Sequence, residues 1–231
     1  INFAVLVASL IVASTPLVLA ALGELIVEKS GVLNLGVEGM MIIGAVAGFI
    51  VGVETGSAYI GMIAAAVAGA LLSLLFAFII LIMQANQVAS GLALTIFGLG
   101  IAALMGHPYT GIKSPQIQSF SIPFLNDIPI LGTMFFQHDL IVYLSIIAVI
   151  AIWYFLNRMR AGLILRSVGE DHDVAHSLGY RVISIRFLAI VFGGAMAGVG
   201  GGYLSLVRVP QWTEGMTAGA GWIALALVVF S

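Results

Sequence analysis

An all-α bundle of membrane-crossing helices is the fold class this sequence predicts, and three observations predict it. The 231-residue chain is 61% hydrophobic and 8% charged, against about 45–50% apolar and about 25% charged in soluble domains. Its apolar runs allow about seven spans at about 20 residues each, too many for a signal peptide or a single anchor. The short alternating polar and apolar runs of a membrane β-barrel are missing from the sequence. The chain therefore reads as one transmembrane domain over residues 1–231. It begins at Ile1 and ends at Ser231 in an apolar run, and is expected to be part of a longer polypeptide with further helices.

Taken in order, the expected spans are 3–22, 32–51, 60–83, 87–106, 139–157, 184–207 and 217 onward, joined mostly by short connectors. Arg158, Arg160, Arg166, Arg181 and Arg186 supply five of the eight Lys and Arg residues. By the positive-inside rule the loop 158–183, in or beside which they cluster, is cytoplasmic. Counting back from it places Lys29 inside, and Ile1, Glu54 and the segment 107–138 outside. That outer segment holds four of the six prolines, Pro108, Pro115, Pro123 and Pro129, and proline does not continue a helix interior. Its apolar turn phrases predict an ordered element against the outer mouth, as a packed loop or as a gate.

Small residues four apart let helix backbones approach closely. Gly44, Gly48 and Gly52 form one such stripe in the second span; Gly194, Gly198 and Gly202 form another in the sixth. Both read as packing faces. The extra Gly193, Gly200 and Gly201 beside the second stripe also permit bending there.

Polar residues inside such a chain are costly and point to function or to a partner. Asn34 and Glu38 lie i, i+4 and share a helix face, among Gly31, Gly36 and Gly39, which weaken the helix. Two readings stay open: an amide and a carboxylate lining a permeation path through a distorted span, or a pair that bonds neighbouring helices. The fourth span starts Gln84-Ala85-Asn86-Gln87-Val88-Ala89-Ser90-Gly91 and continues through Thr95. Gln87, Ser90 and Thr95 suit a neutral, hydroxyl-rich solute, while Gln84 and Asn86 fit a tight turn between helices.

The stretch from Arg166 to Tyr180 predicts a short helix with acids in its first turn, ended by Gly179. Val174, Ala175 and Leu178 give it a small apolar face. Enzyme chemistry finds little support. The histidines, His107, His138, His172 and His176, fall in loops or at helix ends. No HExxH motif exists, and the chain has no cysteine. His172 and His176 with Asp173 lack a third metal ligand fixed by spacing, so no metal site is expected. A net charge of −2 gives no reason to expect nucleic acid.

Three stretches together resemble one family, the permease subunits of bacterial ABC importers for simple sugars, nucleosides and branched-chain amino acids. Gly31-Val32-Leu33-Asn34-Leu35-Gly36-Val37-Glu38-Gly39-Met40-Met41 is similar to its amino-terminal signature. Ile128-Pro129-Ile130-Leu131-Gly132 followed by Leu140 to Leu144 resembles its nucleoside and simple-sugar branch. Val168-Gly169-Glu170 through Gly179, then Arg186 and Gly194-Ala195-Met196-Ala197-Gly198, resembles its cytoplasmic coupling loop and the helix after it.

The resemblance implies a multi-pass protein of the bacterial inner membrane that pairs with a second permease, identical or paralogous. It implies cytoplasmic ATPase subunits docked on Glu170, Asp171, His172, Asp173, Ala175 and Gly179, and an extracytoplasmic binding protein that delivers solute. No cofactor is then expected in this chain, because ATP binds the partners, and membrane lipid surrounds it. The expected path residues are Asn34, Glu38, Gln87, Ser90 and Thr95. The alternatives are a branched-chain amino acid permease, an ion-coupled transporter using Glu38, and an assembly subunit without a pore.

Overall fold

Backbone groups that leave water for hydrocarbon have to find partners within their own segment, so the long apolar runs close into helices. The computed structural model describes residues 3–115, 117 and 135–230. Six of its helices are long and apolar enough to cross a membrane. They are α1 (Phe3–Lys29), α2 (Val37–Thr55), α3 (Ala58–Ala77), α4 (Gln87–Gly106), α5 (Leu140–Arg158) and α8 (Val182–Tyr203). A π-helical turn extends α3 to Ile82, another extends α8 to Arg208, and a 3-10 turn follows α4. Between α5 and α8 lie the short helices α6 (Arg160–Glu170) and α7 (His172–Ser177); α9 (Ala220–Val229) follows α8.

Two of the expected boundaries shift together. Helix α1 runs on to Lys29 and α2 starts only at Val37, which leaves residues 30–36 without helix. The turn begins at Gly31, whose φ of +79° is unfavourable for a residue with a side chain. The seventh expected span appears as α9, which starts at Ala220 rather than 217 and has ten residues among those described.

Helices α1, α2, α3 and α8 form the centre, and the glycine stripes explain why they approach so closely. A Cβ on Gly44 meets the Gly198 backbone, one on Gly48 meets the Gly61 carbonyl, and one on Gly198 meets the Ala65 carbonyl. Gly194 lies against Ser73 and Gly69, Gly202 against Ala65, and Gly52 against Leu206. Helix α8 is thus clamped between α2 and α3. Helix α4 packs on the outside of α2, with Gly39 against Gly98 and Gly36 against Gly91. Ile63, Ile96, Leu104, Ile147 and Ile150 remain exposed on the outward faces, as a lipid boundary requires.

Helix starts are set by side chains the sequence supplies at the right places. Asn86 Oδ1 accepts the Ala89 N–H at 3.0 Å and opens α4. Asp139 Oδ1 accepts the N–H groups of Ile141 and Val142 and opens α5, while its Oδ2 accepts the Tyr203 hydroxyl at 2.8 Å. At the outer end, residues 110–113 bridge to 211–212, and the Tyr109 hydroxyl donates to Glu54. The proline phrases 121–125 and 127–132 of the outer segment lie outside the described residues.

Candidate functional site

Non-helical backbone at membrane depth must be paired by protein, because no water is available there. Residues 30–36, the connection between α1 and α2, are paired by side chains drawn from four helices and by their own Asn34. Arg186 Nε donates to the Ser30 carbonyl at 3.0 Å. The Leu33 N–H donates to Gln87 Oε1 at 2.8 Å, the Asn34 N–H to Glu24 Oε1 at 3.2 Å, and the Gly36 N–H to Asn34 Oδ1 at 3.0 Å. The Leu35 carbonyl accepts both the Thr95 hydroxyl at 3.0 Å and the Trp222 indole N–H at 3.3 Å. Four of these groups, on Asn34, Glu24, Thr95 and Ser30, belong to residues at most 1% exposed.

Immediately beyond this segment, Glu38 occupies the first turn of α2 and is itself 3% exposed. Its Oε1 accepts the Thr217 hydroxyl at 2.5 Å and the Gly219 N–H at 3.0 Å; its Oε2 accepts the Gly221 N–H at 2.7 Å. The carboxylate therefore sits at the starts of α2 and α9 together, where unpaired N–H groups and both helix dipoles favour negative charge. Close approach requires glycine at 221, because a Cβ there lies 2.6 Å from the Glu38 Cα.

The depth of this junction follows from α4. Gly39 packs on Leu94 and Thr95, eight residues into a helix that begins at Gln87, which at 1.5 Å per residue is ~12 Å from that end. Glu38 thus lies inside the bundle, about two turns from the arginine-bearing side. From the other side, residues 209–219 descend without helix from their pairing with 110–113 to the same junction. Trp212 and Met216 pack against α2 on the way.

Of the residues expected to share a path, Asn34, Gln87 and Thr95 converge on segment 30–36, and Glu38 closes its far end. Ser90 lies one turn into α4, partly buried, with its N–H on the Asn86 carbonyl. Sequence reasoning missed Glu24, Ser30, Arg186, Thr217 and Trp222. Glu24 carried a signal, a carboxylate in an otherwise apolar stretch, but it fell beyond the expected end of the first span. Its Oε2 has no hydrogen-bond partner among the described residues. Thr217 and Trp222 are joined to the site only by tertiary contact, more than 170 positions along the chain.

On the arginine-bearing side, Asp171 Oδ1 accepts the N–H groups of Asp173 and Val174 and opens α7. Gly179, with φ +88°, follows its end. Ala175 is buried against Val168 and Val182 and fastens α7 to α6 and α8, whereas Val174 and Leu178 are 54% and 69% exposed. Glu170, His172 and Asp173 are also exposed, the last two 3.6 Å apart. Gly169 of α6 packs on the Lys29 carbonyl and the Gly31 N–H, so the α6–α7 unit touches the root of segment 30–36 directly. No group of three or more metal-ligating side chains occurs among the described residues.

Fold and site define a class: a multi-pass helical membrane protein in which two non-helical segments, 30–36 and 209–219, meet at a buried carboxylate. The chain belongs to the family described as the branched-chain amino acid transport system permease component, whose family model matches residues 6–231. It is 41% identical to a proposed glucose ABC transporter permease protein of Haloferax volcanii, over 95% of this chain and 68% of that one. It is 35% identical to the guanosine ABC transporter permease protein NupQ of Bacillus subtilis, over 98% and 75%. With a nucleoside ABC transporter permease protein of Lactococcus lactis subsp. cremoris the identity is 32%, over 98% and 75%. No solved structure matches the chain.

Proposed function

We propose that the chain is the membrane-spanning permease subunit of an ATP-binding cassette importer that carries a small neutral polar solute, a nucleoside or simple sugar, across the bacterial inner membrane. Separate ATPase subunits supply the energy, and an extracytoplasmic binding protein delivers the solute to a pair of permeases. The observation that supports the reading is the junction at Glu38 of two non-helical segments, the α1–α2 connection at 30–36 and the segment 209–219. Irregular backbone is kept at membrane depth where a path or binding site is built. Relatives named for glucose, guanosine and nucleosides favour a hydroxyl-rich solute over a branched-chain amino acid.

The ATPase contact is assigned to α7 and its flanks, Glu170 to Gly179. Val174 and Leu178 offer an exposed apolar surface ringed by Glu170, His172 and Asp173. An ion-coupled mechanism through Glu38 is disfavoured because its carboxylate is occupied by three donors from 217–221.

The test is uptake into proteoliposomes holding the permease pair, its ATPases and its binding protein. Labelled guanosine or glucose should accumulate with ATP inside, and V174D/L178D should abolish accumulation. Uptake that ignores ATP but follows a proton gradient rejects the reading, and unchanged uptake in V174D/L178D rejects the docking assignment.

A further inference from the structure

Helices α5 and α8 both pack on α1 and make little contact with each other. The crevice between them has a volume of about 720 Å³, within the range of about 300–1,000 Å³ typical of ligand pockets. It exists because small residues face inward where larger ones would fill it: Ala148 and Ala151 on α5 and Ala161 on α6. Ile26 of α1 forms its floor, and Leu188 and Phe192 of α8 its far wall. The lining is almost wholly apolar, Tyr180 contributing the one hydroxyl. Helix α6 closes one end of the crevice, and among the described residues the gap between α5 and α8 is open at the side.

The closed end is the basic end. Arg158 and Arg160 flank the α5–α6 junction next to Ala161, and Arg181 follows Tyr180. All three are exposed, and none forms an ion pair among the described residues. An apolar slot with exposed cations next to its lining at one end matches a molecule with a hydrocarbon tail and an anionic head. Basic pockets between membrane helices bind anionic lipid headgroups in this way. A neutral solute gains nothing from the arginines.

We propose that this crevice is a binding site for an anionic glycerophospholipid, with an acyl chain between α5 and α8 and its phosphate at Arg158, Arg160 and Arg181. The site lies apart from the Glu38 junction and does not depend on which solute is carried. Bound lipid would wedge α5 against α8 beside the α6–α7 unit, so membrane composition would reach the ATPase-facing surface.

The experiment places the full-length permease in nanodiscs of equimolar phosphatidylglycerol and phosphatidylcholine and weighs co-isolated lipid by native mass spectrometry. Phosphatidylglycerol should be retained about tenfold over phosphatidylcholine, as a few cation contacts allow. R158Q/R160Q/R181Q, all surface changes, should remove the preference, and A151W should remove retention by filling the slot. Equal retention of both lipids overturns the proposal. Loss in the arginine variant with no effect of a folded A151W also overturns it, by placing the headgroups on the open surface. The chain has no cysteine, so L188C reports on another occupant: an oxidised L188C dimer puts a second copy in the crevice and rejects the lipid.

Discussion

At the scale of single residues, the two buried carboxylates differ in what their loss exposes. Removing the Glu38 side chain leaves the buried Thr217 hydroxyl and Gly221 N–H, and the partly buried Gly219 N–H, without their acceptor. Each orphaned donor costs about 1–3 kcal/mol. Glu38→Ala should therefore lose ~3 kcal/mol or more of stability, visible as a large drop in melting temperature of the purified protein. Glu38→Gln keeps one acceptor but turns an amide NH₂ toward other donors, so its melting temperature should fall between the two. Glu24 predicts a different ordering. Its Oε1 accepts the Asn34 N–H, and its Oε2 has no partner among the described residues, so Glu24→Gln should melt near the parent protein while Glu24→Ala melts below it. A Glu24→Gln protein as damaged as Glu24→Ala would mean that Oε2 has a partner the geometry does not reveal.

Among elements, the clamp of α8 between α2 and α3 permits a sharp contrast between glycines. A Cβ at 198 collides with the Ala65 carbonyl, whereas one at Gly100 of α4 meets nothing within 4 Å. Gly198→Ala should cost several kcal/mol by forcing helices apart, as overpacked backbone contacts do. Gly100→Ala should be neutral or gain up to about 1 kcal/mol from lower chain entropy. Thermal melting of the two purified variants decides, and equal melting points would reject the clamp. The same elements show what a sequence can reveal. The long helices were legible because runs of about 20 apolar residues have few other solutions, and the glycine stripes because a period of four marks a helix face. The non-helical stretch at 30–36 was legible only in part: Gly31, Gly36 and Gly39 signalled a weakened helix, but Val32, Leu33 and Leu35 are as apolar as a helix would be and hid its bounds. What unwinds it is a set of partners on α1, α4, α8 and α9 that no local pattern displays. Asn34 and Glu38 were singled out by their cost in lipid, but their partners come from segments that only folding brings near.

Across the whole molecule, three structural units meet at one point on the arginine-bearing side: the end of α1 with Gly31, the end of α6 at Gly169, and the first turns of α8 at Arg186. Arg186 Nε holds the Ser30 carbonyl, and its Nη2 lies 2.9 Å from where a Gly31 Cβ would stand. With the ATPase docked on α7 as proposed, a push there would pass through Gly169 to segment 30–36, and through it to Glu38 and the start of α9, with Arg186 fixing the pivot to α8. Arg186→Gln should loosen that pivot while leaving α7 and its exposed Val174 and Leu178 intact. Losing a hydrogen bond from a charged donor is worth about 1.5–3 kcal/mol, enough to shift a two-state equilibrium roughly tenfold or more. In proteoliposomes, Arg186→Gln should keep ATP hydrolysis that responds to the binding protein, while uptake per ATP falls several-fold. Asp171→Ala, which removes the cap that opens α7, should instead lower hydrolysis and uptake together. If Arg186→Gln lowers both in proportion, the junction serves docking and not transmission; if uptake per ATP is unchanged, motion reaches the core by another route.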